Sequence, residues 1–540
     1  MVFLKSIKEF FLELVSIQSD TGTLIEKEAG KKIFSIISED PYFMEHKDLC
    51  GMEETGDFLK RPVVWALKRG KSDKTIILYG HYDAVEIDSY GSLREYALNP
   101  IMLKEKLQSF GISDKEVLKH LDDDDWMFGR GTADMKAGVA INMHILLSSC
   151  GSDVNILFTA VPDEENISAG CRSMMPLLSK LKRRFSLDYK VCLITEPQLV
   201  SDPTGKTFTI YAGGTGKILP IIIAKGKLAH CATNIEGLNS AHMIAEAVRD
   251  IDINPDLMSY DLGIYTSPPA VQIMKVLKNT YDVSLPEYSA ACINVLFLGD
   301  KTPELIMRKI GEICEESFKR IIEKYNKVFD IAKAKKLVEE TARLSLKADV
   351  ISMKQLEERV REVKGDKYEL FMNEVSHAIT KQAESGQITL QDASCTYMKT
   401  LLENAQIDSP LFVIGMAPPY YPAVSNVYVN KETSCIENAI RSTVMSAMGM
   451  ELNVMPYLPG MADISYMSCS DKDSQNRIME SLSVPKELYS IPFDDIAELN
   501  IPSYMIGPRC GGCHQLTERV YMPDVENYVP MIIQSVIKSI

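Results

Sequence analysis

The apolar segment Asn155–Val161 is followed almost at once by three consecutive acids, Asp163, Glu164 and Glu165. A short apolar run of this kind predicts a strand covered on both faces, as in a parallel sheet. The residues from Gly170 onward predict a helix. Carboxylates gathered at the exit of a buried strand are costly unless positive charge lies beside them. A divalent metal ion is the usual source of that charge, although an acidic helix N-terminus favoured by the helix dipole would look the same.

The first 207 residues alternate strand and helix patterns. Short apolar runs predict strands and longer amphipathic or apolar segments predict helices between them: strands at Thr75–Tyr79, Asn155–Val161 and Tyr189–Ile194, and helices at Ala137–Ser149 and Ala169–Leu181. Most of the acidic clusters lie just past the carboxyl end of a strand, where open α/β sheets place their ligands. Residues 1–207 are therefore predicted to form the first part of a catalytic domain.

The length of 540 residues exceeds what one hydrophobic core organises, so more than one domain is expected. A strand–helix–strand–helix pattern over residues 208–330 predicts an inserted α+β domain. Residues 331–408 lack proline and are rich in Lys, Glu, Ala and Leu, which predicts a helical extension of that domain. Strand patterns at Leu411–Gly415 and Pro502–Ile506 predict that the chain returns to the first sheet over residues 409–540. The predicted fold class is α/β, with a mixed sheet flanked by helices.

Composition excludes several classes of protein. The net charge of −15 argues against a nucleic-acid partner, because phosphate binding needs a basic surface. No apolar run approaches the roughly 18 residues of a membrane span, so no membrane partner is expected. The twelve cysteines show no disulfide-scaffold density. Charges at the N-terminus interrupt a signal-peptide core, and the apolar residues there predict one face of an amphipathic helix in a cytoplasmic protein: Phe3, Ile7, Phe10, Phe11 and Leu14.

Two clusters at predicted strand ends offer metal ligands. His81 and Asp83 are two residues apart, so an extended chain points both side chains the same way. A metal-bound histidine usually donates its other ring N–H to a carboxylate, and Asp83 could be that partner. Asp134 lies in a glycine-rich segment and could bridge two cations with its two oxygens. The alternatives are a capped turn with a surface histidine and an aspartate that caps the following helix.

Further candidates follow in the sequence. Of the adjacent acids Glu164 and Glu165, one could bind metal while the other serves as general base, because adjacent side chains diverge. Glu196 ends an apolar strand just before a proline, and His514 follows a glycine-rich turn. The alternative for Glu196 is a turn-forming acid at the surface. Two histidines with several carboxylates suit zinc and related divalent ions.

Two other features leave alternatives open. Cys510-Gly-Gly-Cys513-His514 spells a c-type haem attachment sequence, which would indicate an electron-transfer protein, or a redox-sensitive thiol pair. Asp463 follows Pro459-Gly-Met-Ala and supports a metal ligand without binding metal itself, or faces the substrate, or is an ordinary loop acid.

Five motifs resemble those of the dizinc family of aminoacylases, succinyl-diaminopimelate desuccinylases and glutamate-releasing carboxypeptidases. They are His81-x-Asp83, Gly131-Thr-x-Asp134-Met-Lys-x-Gly138, Asp163-Glu-Glu165, Glu196-Pro and Gly507-Pro…His514…Glu518-Arg-Val. Their order and spacing are similar from about residue 10 to the C-terminus, apart from the extra helical stretch. The chain length and the segment Met416-Ala-Pro-Pro-Tyr-Tyr-Pro422 resemble most the branch that holds the bacterial arginine-utilisation protein.

The resemblance implies a zinc-exopeptidase-like sheet with an inserted lid and dimerisation domain. It implies two divalent metal ions, zinc or alternatively cobalt or manganese. Asp134 would bridge them, His81 and Glu196 would complete one site, and Glu165 and His514 the other. Glu164 would be the general base, and Asp83 would orient His81. The peptide bond after Asp134 is expected to be cis, as is common in this family.

The implied function is hydrolysis of an amide bond in a small amino-acid derivative or peptide, as a deacylase or exopeptidase, with a place in arginine or amino-acid catabolism. His230 resembles the lid histidine that reaches the tetrahedral intermediate across a homodimer interface; the alternative is a partly buried structural histidine. The competing function is a non-catalytic, metal-containing binding or regulatory protein on the same scaffold.

Overall fold

The computed structural model describes residues 4–199, 205–278, 280–429 and 431–540. Its chain divides into two compact units. The first contains the chain up to Gly214 together with Val424–Ser470 and Pro492–Ile540. The second contains Thr215–Ala423 and Asp471–Ile491.

The first unit is built on an eight-stranded mixed sheet. Its strands lie, from one edge to the other, in the order Cys50–Glu54, Pro62–Lys68, Asn155–Val161, Lys74–His81, Asp188–Ile194, Ser503–Met505, Thr207–Tyr211 and Glu451–Met455. Lys74–His81 is parallel to both of its neighbours. Apart from Lys74 at its start, every residue of this strand is buried, as expected for a strand covered on both faces.

Helices flank this sheet and close its core. They are Ile7–Val15, Glu26–Ser38, Pro41–Glu45, Pro100–Gln108, Lys115–Leu121, Ala137–Ser148, Ala169–Phe185, Ser434–Thr443, Phe493–Leu499 and Val529–Ser539. Ala137–Ser148 is buried along nearly its whole length, because its residues are apolar on all sides. The predicted α/β class, with a mixed sheet flanked by helices, is confirmed.

A second, three-stranded antiparallel sheet belongs to the first unit. Arg519–Tyr521 lies at its centre, between Cys510–Gly511 and Trp126–Phe128. The hairpin formed by Cys510–Gly511 and Arg519–Tyr521 carries His514 in its turn, and Trp126–Phe128 leads into the glycine-rich segment before Asp134. This small sheet therefore joins two segments that are far apart in sequence.

The second unit has a five-stranded sheet with helices. The strand order is Ala270–Val276, Tyr288–Phe297, Gly216–Lys225, Leu411–Tyr421 and Val350–Ser352. Two further short strands, Tyr260–Asp261 and Ile264–Tyr265, form a hairpin. The helices are Ser240–Ile251, Pro303–Ala334, Met353–Lys364, Tyr368–Glu384, Leu390–Asn404 and Lys472–Met479.

The strand at Leu411–Tyr421 corrects one prediction. The sequence pattern predicted that it returns to the first sheet, but it pairs antiparallel with Gly216–Lys225 in the second unit. The chain re-enters the first unit at Val424–Ser425, which pairs with Gly213–Gly214. An apolar run predicts a strand but does not specify its neighbour, because pairing depends on residues far away in sequence.

The N-terminal helix, Ile7–Val15, begins at a capping box formed by Ser6 and Glu9. Ile7, Phe10, Phe11 and Leu14 are buried, as the amphipathic pattern predicts, while Phe3 lies outside the described residues. Within the described part of the chain, we find no helix whose length and apolar character would let it cross a bilayer.

Candidate metal centre

Three neighbouring parallel strands end at one edge of the large sheet and place the candidate residues there. His81 is the last residue of its strand and pairs in register with Val161, which is followed by the three acids. On the other side, Tyr79 pairs with Ile194, and Glu196 follows two residues later. Parallel strands share the direction of their carboxyl ends, so these side chains converge.

One group of ligand atoms surrounds His81, which is fully buried. Its Nε2 atom lies 3.1 Å from Asp134 Oδ1 and 3.4 Å from Glu196 Oε1. Ligand atoms of His81, Glu164 and Glu196 all lie within 4.8 Å of one another. A single cation could therefore be held by a nitrogen and carboxylate oxygens at this position.

A second group surrounds His514, whose side chain is half-exposed. Its Nε2 atom lies 3.0 Å from Glu165 Oε1 and 3.4 Å from Asp134 Oδ2. The two oxygens of Asp134 thus face two different histidines, Oδ1 toward His81 and Oδ2 toward His514. This is the geometry of a carboxylate that lies between two cation sites.

The chemistry of these side chains fits divalent cations. Glu196 Oε1 is buried and makes no hydrogen bond to any described residue. A buried carboxylate oxygen without a donor is unfavourable unless a cation lies beside it. Burial, with the nearby Asp134 charge, raises the pKa of Glu196 to about 8, and burial raises the pKa of Glu164 well above its usual range. The mixed nitrogen and oxygen donors are those that zinc and related ions take.

Asp83 holds both the histidine and the acidic turn. His81 Nδ1 lies 3.1 Å from the Asp83 carbonyl oxygen and 3.4 Å from its Oδ1. The Asp83 carboxylate also accepts hydrogen bonds from the backbone N–H groups of Glu164 and Glu165, both at 3.2 Å. Although burial opposes ionisation, the hydrogen bond to His81 keeps the pKa of Asp83 below its usual value. The contact with the acidic turn is not evident from the His-x-Asp spacing.

Of the three consecutive acids, Asp163 has contacts different from those of Glu164 and Glu165. Asp163 turns away from the ligand groups, and its carboxylate accepts a hydrogen bond from Arg61 Nη1 at 2.6 Å. The same Arg61 nitrogen donates to Glu26 at 2.7 Å, and Arg61 Nη2 pairs with Asp57. The sequence pattern indicated a metal ion as the usual source of positive charge beside this cluster, but for Asp163 an arginine supplies that charge. The pairing was missed because Arg61 lies 102 residues before Asp163.

Asp463 is fully buried, so its interpretation as an ordinary loop acid is wrong. Its carboxylate accepts a hydrogen bond from the Tyr79 hydroxyl, and its carbonyl oxygen accepts one from the Cys171 thiol at 3.8 Å. Tyr79 belongs to the strand that ends at His81. Asp463 therefore holds the strand that ends at His81.

Two of the remaining predictions concern the segments that carry Asp134 and His514. The peptide bond Asp134–Met135 is cis, as the resemblance implied. Cys510 Sγ lies 3.7 Å from Cys513 Sγ and donates a hydrogen bond to the Gln198 carbonyl at 3.2 Å.

His230 belongs to the second unit, where it is exposed at the start of a short helical turn and accepts a hydrogen bond from Ala232 N–H at 3.1 Å. It is not the partly buried histidine of the alternative interpretation.

Gly507 allows the close packing that positions Glu196. A β-carbon at Gly507 would lie 1.9 Å from the Glu196 carbonyl oxygen, which is backbone and cannot rotate away. We expect Gly507→Ala to destabilise the protein by about 1–3 kcal/mol, the usual cost of overpacking, and to weaken metal binding. Thermal unfolding and metal content after dialysis measure both effects. Gly56→Ala is the control, because its β-carbon would meet nothing within 4 Å; equal effects of the two substitutions would contradict the prediction.

The fold and the site together define a metal-dependent hydrolase: a mixed α/β sheet carries histidine and carboxylate ligands at its strand ends. The chain belongs to peptidase family M20/M25/M40, which it matches over residues 77–538. It is therefore a metallohydrolase that acts on amide bonds.

Three relatives illustrate the match. The chain is 28% identical to the uncharacterized protein YqjN of Bacillus subtilis over 98% of its own length and 95% of that protein. It is 26% identical to protein RocB of the same organism, covering 96% of this chain and 92% of RocB. The structure of aminopeptidase PepT from Bacillus cereus superposes with a TM-score of 0.52 at 14% identity, over 99% of this chain and 98% of that one, which shows the fold alone. The resemblance inferred from the motifs is confirmed.

Proposed function

We propose that the chain hydrolyses an amide bond of a small amino-acid derivative or short peptide, as a deacylase or exopeptidase, with two divalent ions and Glu164 as general base. One observation carries the proposal: the two oxygens of Asp134 face His81 and His514, at 3.1 and 3.4 Å. A carboxylate that lies between two separate ligand groups is what a two-metal site requires, and a single-metal site has no need of it.

The ligands divide into two sets that share Asp134. We assign His81 and Glu196 to one ion, and Glu165 and His514 to the other. Glu165 is assigned as a ligand because its Oε1 atom lies 3.0 Å from His514 Nε2. Glu164 remains as the acid next to the first set, with an oxygen within 4.8 Å of the ligand atoms of His81 and Glu196. We favour zinc, with cobalt and manganese as alternatives, since these ions accept the same donors.

The residues of the chain then have distinct tasks. When bound, two divalent ions held by these ligands would supply Lewis-acid chemistry: they would lower the pKa of a water and polarise the carbonyl of the scissile amide. Glu164 accepts a proton from that water as the water oxygen attacks the amide carbon, and it returns the proton to the leaving nitrogen. Asp83 fixes the ring of His81 and, through the two backbone N–H groups, the turn that carries Glu164.

Several finer assignments rest on the resemblance alone. A role in arginine or amino-acid catabolism follows from the similarity to the arginine-utilisation branch. Donation from His230 to the tetrahedral intermediate, a homodimer and a cytoplasmic location also stay predictions. Nothing within the described residues favours the non-catalytic alternative.

The proposal predicts two metal equivalents per chain. Chelation is expected to abolish turnover, because both the water and the amide carbonyl lose their activation, and Zn, Co or Mn should restore it. The experiment is elemental analysis of purified protein combined with a hydrolysis screen of N-acyl amino acids and dipeptides. Turnover by metal-free protein would contradict the proposal, and two metals with no turnover on any substrate in the panel would favour the binding protein instead.

A further inference from the structure

The buried ion pair between Arg130 and Glu518 connects the segments that carry Asp134 and His514. We propose that this pair positions the bridging acid against His514 and thereby sets the affinity of the metal site that contains His514. Arg130 and Glu518 are positioning residues in this proposal, since neither is a ligand. The inference rests on the proposed two-metal function and gives a role to Arg130 and to Glu518, to which the resemblance assigns none.

Glu518 holds the backbone of the Asp134 segment. Its Oε1 atom accepts hydrogen bonds from the backbone N–H groups of Ala133 and Asp134, at 3.2 and 3.4 Å. Its own carbonyl oxygen accepts a third from Gly129 N–H at 3.0 Å. The side chain is 1% exposed. Glu518 thus fixes the segment between Gly129 and Asp134 at both ends.

Arg130 connects Glu518 to the His514 turn. Its Nη1 atom donates to Glu518 Oε2 at 2.5 Å, and its Nη2 atom donates to the carbonyl oxygen of His514 at 3.2 Å. A further bond from Nη2 to Ser89 Oγ at 3.0 Å and the Tyr90 ring, 5.1 Å from the guanidinium carbon, hold the arginine in place. A planar guanidinium that donates in two directions suits this task, and a lysine could not reproduce it.

The other metal site is positioned by different contacts. Asp83 fixes His81, and the close packing of Gly507 fixes the strand end at Glu196. Neither of these contacts passes through Arg130 or Glu518. Asp134 is assigned to both ions, but the bond from Arg130 Nη2 to the carbonyl oxygen of His514 serves only the ion held by His514. Loss of the ion pair should therefore weaken that site more than the other, whereas a general loss of stability would affect both equally.

The test is calorimetric titration of metal-free protein with Zn²⁺, comparing wild type with Glu518→Gln and Arg130→Lys. We expect two binding steps in wild type, and we assign the weaker one to the site of His514, because the His514 side chain is 49% exposed whereas that of His81 is fully buried. In both variants the stronger step should persist and the other should weaken by about 10–100-fold, the usual effect of changing a residue that supports a metal ligand. Turnover should fall at limiting metal and recover in large part with excess metal, because the ligands themselves are intact.

The control is Arg509→Gln. Arg509 forms a two-pronged ion pair with buried Asp524, with both side-chain bonds at 2.8 Å, next to the same hairpin. This variant should lower the unfolding temperature without changing the weaker metal step. Circular dichroism of each metal-free variant checks that it is folded, and Arg130→Lys retains the charge if Glu518→Gln does not fold.

The outcomes distinguish failure of the positioning role of Arg130 and Glu518 from failure of the two-metal function. Equal weakening of both steps, or no change in either, would overturn the role of Arg130 and Glu518 while leaving the two-metal function in place. The role of Arg130 and Glu518 is also overturned if Arg509→Gln weakens the weaker metal-binding step as much as Glu518→Gln and Arg130→Lys do. Wild-type protein that binds fewer than two ions would instead overturn the proposed function itself.

Discussion

Glu164→Gln is expected to lower turnover by about 10²–10⁴-fold, the usual contribution of a general acid–base residue, while two metal ions stay bound. Glutamine matches glutamate in size but cannot accept and return the proton. The prediction follows from the proposed assignment of Glu165 to the ion at His514, which leaves Glu164 as the acid without a metal beside His81 and Glu196. Steady-state kinetics and elemental analysis of the same sample measure the two quantities.

Glu165→Gln is the matched control, because it makes the same chemical change at the adjacent residue. We expect this variant to lose affinity for the metal held with His514, since Glu165 Oε1 lies 3.0 Å from that histidine. If Glu164→Gln instead loses a metal and Glu165→Gln keeps both, the two roles are exchanged. If Glu164→Gln turns over at the wild-type rate, Glu164 is not the base.

Arg61→Met is expected to destabilise the protein by about 3–5 kcal/mol, the cost of breaking a buried ion pair from one side. Arg61 is 1% exposed and pairs with Asp57, Glu26 and Asp163, so its loss leaves buried carboxylates without a cation. Burial already raises the pKa of Glu26 to about 9. Unfolding of metal-free protein in urea measures the change.

Tryptophan fluorescence restricts this measurement to unfolding of the first unit. The chain has two tryptophans, Trp65 and Trp126, and both belong to the first unit, as does Arg61. Lys71→Met is the control, since the Lys71–Asp153 pair lies at the surface and such pairs contribute little. An Arg61→Met variant that unfolds at the same urea concentration as the control would show that the buried pair is not stabilising.

The sequence located much of the candidate site because each ligand has a local signal. His81 and Glu196 close apolar strands, and Glu164 and Glu165 follow a third. The apolar composition of such strands predicts them, and the carboxyl ends of neighbouring parallel strands lie at the same edge of the sheet. The cis bond after Asp134 and the division of five ligands into two sets came instead from the resemblance of whole motifs to a known family.

Charge compensation could not be deduced in this way. Asp163 looks equivalent to Glu164 in sequence, yet it pairs with an arginine 102 residues away. Asp463 looked like a loop acid because nothing nearby in sequence indicates that Tyr79 donates to it. A residue's ion-pair partner is set by packing between segments, and a single sequence carries no record of that packing.

By itself, the sequence determined the mixed α/β class, the principal strands and the side chains proposed for the candidate centre, because short apolar runs and amphipathic segments show which local faces are buried. Only the tertiary structure decided that Leu411–Tyr421 joins the second unit, that Arg61 neutralises Asp163, and that Arg130 and Glu518 connect the segments of Asp134 and His514. Each of these depends on contacts between distant segments; Arg130 and Glu518 are 388 residues apart and meet only after the chain has folded.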